Sequence, residues 1–179
     1  VTIGELERAA CKENLFPPVV PGTEFVTIGG AIASNIHGKS HHSQGAFGEH
    51  VREISLLDSK GTIHLISPLT DPELFWATVG GMGLTGVILS AKVSLVPIEN
   101  EYFFVEERRS SSIDDLLNLL KEFDSKYPYT VAWIDISGDY VGRGVVSGGK
   151  HATSEELITS IKDKSKIESA KKAFVLPDC

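Results

Sequence analysis

Two glycine-centred stretches and one histidine–glycine–lysine triplet are the residues of this chain whose types and spacing suit chemistry. The first stretch, PGTEFVTIGGAIASNIHGKSHH, turns at Pro21-Gly22, runs thin through Gly29, Gly30, Ala31, Ala33 and Ser34, and ends on His37, Gly38 and Lys39. Glycine has no Cβ, so backbone at Gly29-Gly30 can approach a flat or charged ligand to contact distance. Pro21 presets φ for a turn in which Gly22 supplies a positive φ. His37 adds a titratable ring and Lys39 a cation beside another bare backbone position. Small residues followed abruptly by polar ones suit a cofactor wall better than a core. The second stretch, Gly80-Gly81-Met82-Gly83-Leu84-Thr85-Gly86, offers successive backbone N–H groups that suit a pyrophosphate, a ribityl chain or a ring edge. It follows a predicted helix and opens a predicted strand, the reverse of the order in a dinucleotide GxGxxG fingerprint, and no Walker motif is present.

Other candidates carry plainer readings. His37, His41, His42 and His50 are clustered, but zinc sites bring Cys or carboxylate partners at regular spacing, and Ser40, Ser43, Gln44 and Gly45 make this run loop-like. No metal ligand is assigned; a metal hydrolase built on this cluster stands as an alternative. His64 and His151 read as surface residues, Trp76 and Trp133 as core, and Cys11 as buried filler on a helix. Asp114 and Asp115 suit a helix start rather than paired acid–base work. A non-catalytic α+β module with structural glycine loops is the alternative of another class.

The elements that must position these residues follow from pattern. Thr2 with Glu5 has capping-box spacing for a helix through TIGELERAACKEN, with Asn14 as its stop. LFPPVV is proline-broken and reads as a connector or edge strand. A short helix is expected from Ile28 to Asn35. VREISLLDSKGTIHLIS reads as a hairpin turning at Asp58 to Gly61. Asp71 caps a helix to Val79 with Pro72 at its first position, and Thr85 to Pro97 is a β-branched strand. Further on, YFFVEERR is a strand and Ser112 caps a helix from Ile113 to Lys126, with Asp115 at the capping-box position. Leu116, Leu117, Leu119, Leu120 and Phe123 form its apolar face. Tyr129 to Ile136 and Tyr140 to Val146 pair across a Ser137-Gly138-Asp139 turn. The fold class is α+β. One domain covers 1–100 and a second 101–179, with a mobile polar segment near 147–172.

Composition bounds the function. The formal charge of -7 over 179 residues excludes a general nucleic-acid binder. No apolar run approaches the roughly 20 residues of a membrane span, and no signal peptide or anchor is visible. A cytoplasmic or membrane-peripheral location is expected. Cys11 and Cys179 are too few for a disulfide framework. The chain opens at Val1 without an initiator methionine and reads as a piece of a longer protein.

PGTEFVTIGGAIASNIHGKSHH followed by DPELFWATVGGMGLTGVI closely resembles the FAD-binding (PCMH-type) domain of FAD-linked oxidases of the vanillyl-alcohol-oxidase type. The resemblance runs from Val1 to about Val146. It implies the second part of such a domain, a mixed or antiparallel sheet flanked by helices, followed by part of an α+β substrate domain. The cofactor implied is FAD. Pro21, Gly22, Thr23, Val26 and Thr27 would line the flavin and its diphosphate, and Gly29, Gly30, Ala33 and Ser34 would pass the isoalloxazine and ribityl parts. His37 and Gly38 would sit beside the ring with Lys39 toward the substrate, and Gly81, Met82, Gly83, Gly86 and Ile88 would clasp the cofactor from the second loop. His37 and Lys39 are the implied catalytic pair. The implied reaction oxidises a secondary hydroxyl of a sugar or polyprenyl-phosphate sugar, decaprenylphosphoryl-ribose-like, from 2′-hydroxyl to ketone. A reductase partner would then complete an epimerisation belonging to cell-wall arabinan synthesis; sugar-lactone or alditol oxidation is the alternative. The resemblance implies that the upstream half with the family's pyrophosphate loop, and a C-terminal part that in the most similar member supplies a further lysine and a substrate-side cysteine, lie outside this piece, so it alone is expected to bind FAD weakly and not to turn over.

Overall fold

Thr2 opens the first helix, α1 (Ile3–Cys11), with the reciprocal pair its spacing predicts: the Thr2 N–H donates to Glu5 Oε2 at 2.7 Å and the Glu5 N–H to Thr2 Oγ1 at 3.2 Å. Two further N-terminal donors of α1 are taken by the segment leading to the first glycine stretch: Ile3 N–H bonds Val26 O at 2.8 Å and Gly4 N–H bonds Glu24 O at 3.0 Å. Asn14, with φ 55°, turns the chain left-handed after the helix. A computed structural model describes residues 1–162, and the chain divides into two units, Val1–Pro97 and Ile98–Cys179.

In the first unit β1 (Leu15–Phe16) is followed by α2 (Ile28–Ala33), α3 (His41–Gln44) and a 3-10 turn at Phe47–His50. The predicted hairpin forms from β2 (Val51–Leu57) and β3 (Ile63–Ile66). Asp58 Oδ1 accepts from the Lys60 and Thr62 N–H groups in its turn, and His64 Nε2 lies 2.8 Å from Asp58 Oδ2. Helix α4 (Pro72–Thr78) starts on Asp71, whose side chain accepts from Leu74 N–H. The strand expected over Thr85 to Pro97 is two strands, β4 (Val87–Val93) and β5 (Val96–Pro97). Strand β4 joins β2 in an antiparallel sheet of order β3-β2-β4, whereas β5 pairs with β1, so the chain leaves one sheet for another after Val93. Ile3, Ile32, Phe47, Ile54, Leu56 and Phe75 are fully buried and pack α1, α2 and α4 against one face of the larger sheet.

The second unit is a three-stranded antiparallel sheet of order β6-β8-β7, formed by β6 (Phe103–Ser110), β7 (Tyr129–Ile134) and β8 (Gly144–His151). Helix α5 (Ile113–Lys126) is capped by Ser112 as expected. Asp115 reaches back to the N–H of Ser111 at 2.9 Å rather than to that of Ser112. Leu116 and Phe123 are buried against Val146, but Leu117 is 47% exposed and does not join this core.

The largest departure from the sequence reading is β8. The strand expected over Tyr140 to Val146 begins at Gly144 and continues to His151 as the central strand, so residues 147–151 are not a mobile surface segment. The reason lies in its glycines. A Cβ at Gly148 would strike the rings of Tyr127 and Phe123, so a residue type that weakens a strand in isolation is what lets α5 pack closely here. Helix α6 (Ser154–Lys162) covers more of the same stretch, and the rest lies outside the described residues. Trp76 and Trp133, expected in cores, are 50% and 56% exposed. His151, expected on the surface, is half-buried against the rings of Phe103 and Tyr129, and burial lowers its pKa. Cys11 is half-buried rather than core filler.

Glu7 on α1 supplies a test of the first unit. Burial first, and the Glu24 charge second, push its carboxyl up to about 7. A carboxyl with a folded pKa above its unfolded one holds a proton that the unfolded chain releases, so folding loses stability as pH rises from about 4.5 through about 7. Glu7→Gln removes this loss. Thermal melts should show the variant more stable than the parent near about pH 8 and no different near about pH 4. An equal shift at both values would contradict the assignment.

Candidate functional site

The two glycine stretches, far apart in sequence, meet through backbone hydrogen bonds at the end of α2. Gly80 N–H donates to Ile32 O at 2.9 Å, and Met82 N–H donates to Ala33 O at 2.9 Å. Helix α2 is entered at Thr27, whose hydroxyl accepts from Gly30 N–H at 3.1 Å, so that hydroxyl is spent as a helix cap. The helix leaves through a Schellman arrangement. Asn35, with φ 42°, donates its N–H to Ile32 O at 3.0 Å, and Ile36 N–H reaches Ala31 O at 3.1 Å. The chain then reverses into His37, Gly38 and Lys39.

The second loop is wound differently from the expectation. Gly80, Met82 and Gly83 all have positive φ, yet the N–H groups of Gly80, Gly81, Met82 and Leu84 are all donated to carbonyls inside the chain. The loop therefore presents bare Cα surface rather than a ladder of free N–H groups for a pyrophosphate. It is held from beneath by Thr78, whose hydroxyl donates to Leu74 O at 2.8 Å and meets Thr85 Oγ1 at 2.9 Å.

The glycines sort by what a side chain would meet. A Cβ at Gly38 would overlap the Val20 carbonyl, one at Gly81 the Ala77 carbonyl, and one at Gly86 the Leu57 carbonyl. Those three are explained by the fold itself. Gly83, with nothing within 4 Å of a Cβ, is explained by its φ of 77°. By contrast, a Cβ at Gly22 meets nothing within 4 Å and one at Gly29 meets only Ile88 Cβ at 3.8 Å, and neither has a positive φ. Gly22 does not adopt the positive φ expected of it. Gly29, Ala33, Met82 and Ile88 come together where α2 meets β4 and the second loop, and Met82 is 70% exposed there. Pro21, Gly22, Thr23 and Val26 precede this patch on the segment bonded to α1, and Gly30 and Ser34 lie within α2 and at its end.

His37 is exposed and its ring meets that of His41 edge-on at 5.4 Å. Lys39 is half-buried, and burial lowers its pKa to about 8. The backbone on either side is anchored: Gly38 packs on Val20, and the buried Ser40 hydroxyl donates to Pro18 O at 2.8 Å. His41 Nδ1 lies 3.2 Å from Gly45 O and His50 Nε2 lies 2.8 Å from Gln44 O, so both rings serve the loop's own backbone. Among the described residues no group of three or more His, Cys, Asp or Glu is arranged to hold a metal ion. Asn35 and the Thr78–Thr85 pair escape the sequence reading. An asparagine closing a helix of small residues is the available signal for the first.

Residues 1–67 match the FAD binding domain family. Over 183 aligned residues, 99% of this chain, the sequence is 40% identical to decaprenylphosphoryl-beta-D-ribose oxidase of Mycolicibacterium smegmatis. These likenesses are to FAD-linked oxidases. It is also 30% identical over 122 residues to a probable L-gulonolactone oxidase 4 of Arabidopsis thaliana, covering 64% of this chain and 21% of that protein. Cytokinin dehydrogenase 4 of the same plant is 27% identical over 88 residues, covering 49% and 17%. The chain spans 40% of the length of the mycobacterial relative. An FAD-linked oxidase of the vanillyl-alcohol-oxidase type accounts for the α+β layout, and FAD is the cofactor of its domain. The bare backbone at Gly29 fits such a group, because a flat ring needs backbone that the protein's own packing leaves uncovered. Among the described residues no helix is long and apolar enough to cross a membrane.

Proposed function

We propose that this chain is part of an FAD-dependent oxidoreductase that oxidises a secondary hydroxyl of a sugar to a ketone. The substrate is a polyprenyl-phosphate pentose of the decaprenylphosphoryl-ribose kind, and a separate reductase completes the epimerisation. The observation that carries the cofactor part is Gly29, a glycine that neither φ nor packing demands, on the helix whose end meets the second loop. The substrate part rests on the 40% identity to the mycobacterial oxidase along nearly the whole chain.

FAD, when bound, supplies the acceptor for the hydride of the alcohol C–H. Gly29, Ala33, Met82 and Ile88 would hold its ring system, and Pro21, Gly22, Thr23 and Val26 would line its diphosphate. His37, exposed at the start of its loop, takes the hydroxyl proton as the carbonyl forms. Lys39 would hold a positive charge toward substrate oxygen and the flavin. Residues 1–100 serve the cofactor and the second unit serves the substrate. An open groove of about 440 Å³ in that unit is lined by Arg109, Trp133, Asp135 and Arg143. Arg143 there lies 3.7 Å from Asp135 and stacks on Tyr140, which leaves Arg109 as the lining cation outside that pair.

A visible absorption spectrum, taken after FAD is added and the excess removed, tests the reading. The full-length protein should retain a flavin band and this chain alone only a weak one. A full-length protein without retained flavin would sink the proposal.

A further inference from the structure

From the neck of the histidine loop, we infer that Asn35 is a positioning residue that sets His37 and Lys39 relative to the flavin-binding glycine segments. The inference rests on the flavin reading above. Residues 37–46, which carry His37 and Lys39, form a loop closed at its base by two hydrogen bonds: Phe47 N–H to Ile36 O at 2.8 Å and Gly48 N–H to Asn35 Oδ1 at 2.9 Å. One of the two is supplied by the Asn35 side chain. The same residue ends α2 in its left-handed turn, and its Cβ lies 3.4 Å from where a side chain on Gly80 would begin. Asn35 thus touches all three parts of the candidate site: the end of the first glycine helix, the neck of the histidine loop and the start of the second glycine loop.

The residue type follows from both demands. A left-handed φ favours glycine, asparagine or aspartate, and of these glycine brings no acceptor. At Gly48 a Cβ would press on Asn35 Oδ1 and Val79, so the donor is held close by a bare position. Without the acceptor the neck keeps only the Ile36–Phe47 bond, and the Gly48 N–H is left unpaired.

Asn35→Gly in the full-length protein keeps the backbone turn and deletes the acceptor, and Asn35→Asp keeps both. The glycine variant should melt as the apoprotein a few degrees below wild type, the scale of one buried donor left unpaired. It should bind FAD about tenfold or more weakly because the loop is no longer held in register. Asn35→Asp should restore affinity. Hydrogen exchange on the wild type gives a measurement independent of variant folding: adding FAD should slow exchange at Phe47 and Gly48. Unchanged FAD affinity in Asn35→Gly, no rescue by Asn35→Asp, or no added protection at Phe47 and Gly48 each overturns the inference while leaving the flavin reading intact. A wild-type protein that holds no flavin overturns both.

Discussion

Gly29→Leu in the full-length protein should abolish flavin retention while the apoprotein keeps its fold. The expectation follows from what surrounds that position. A Cβ there meets only Ile88 Cβ at 3.8 Å, an ordinary contact, and its φ is not in the left-handed region. Nothing in the fold itself therefore demands glycine. A cofactor ring lying against the backbone does demand it. Gly29→Ala separates the two requirements further. An alanine within a helix is favoured over glycine by up to about 1 kcal/mol, so the apoprotein should become slightly more stable as its FAD affinity falls. Stability and binding then move in opposite directions. Gly38→Ala is the control, because its Cβ overlaps the Val20 carbonyl and should cost about 1–3 kcal/mol of folding stability whether or not flavin is present. Thermal melts of the apoproteins and FAD titrations read both quantities. Full flavin retention by Gly29→Leu would place the cofactor elsewhere.

Substrate oxidation should fall as pH rises through about 8, the value to which burial lowers the Lys39 amine. Burial disfavours the charged form, so Lys39 is a cation below that pH and neutral above it, well before an ordinary lysine would lose its proton. A role that needs the positive charge is lost across the same window. Unfolding does not explain such a loss. The folded pKa lies below the unfolded one, so this group makes the folded state more stable, not less, as pH climbs from about 8 to about 10.5. Lys39→Arg retains the charge and should remove the alkaline limb from the pH–rate profile. Lys39→Met should cost roughly 10²–10³ in the rate of flavin bleaching by substrate, the scale for one preorganised electrostatic group. A flat profile across this window in the parent protein would end the assignment.

Local signals determined much of this protein. The Thr2–Glu5 capping box, the Asp58 to Gly61 turn, and the Asp71-Pro72 and Ser112 helix starts all form where residue type and spacing place them, since each is satisfied by groups only a few positions away. The α+β class and the FAD domain were legible in the same way, because the glycine stretches are contiguous. Tertiary structure decided what depended on distant groups. Strand β8 is central only because Gly148 lies beneath Phe123 and Tyr127, and a glycine in sequence carries no record of the rings it must admit. The second glycine loop has the composition of an anion nest, but Ile32 and Ala33 take two of its N–H groups from a distant helix. Trp76 and Trp133 are exposed because apolar character alone does not specify which face of an element is covered. The distinction between glycines the fold needs and glycines it does not, Gly38 against Gly29, appears only when the neighbours of each missing Cβ are known.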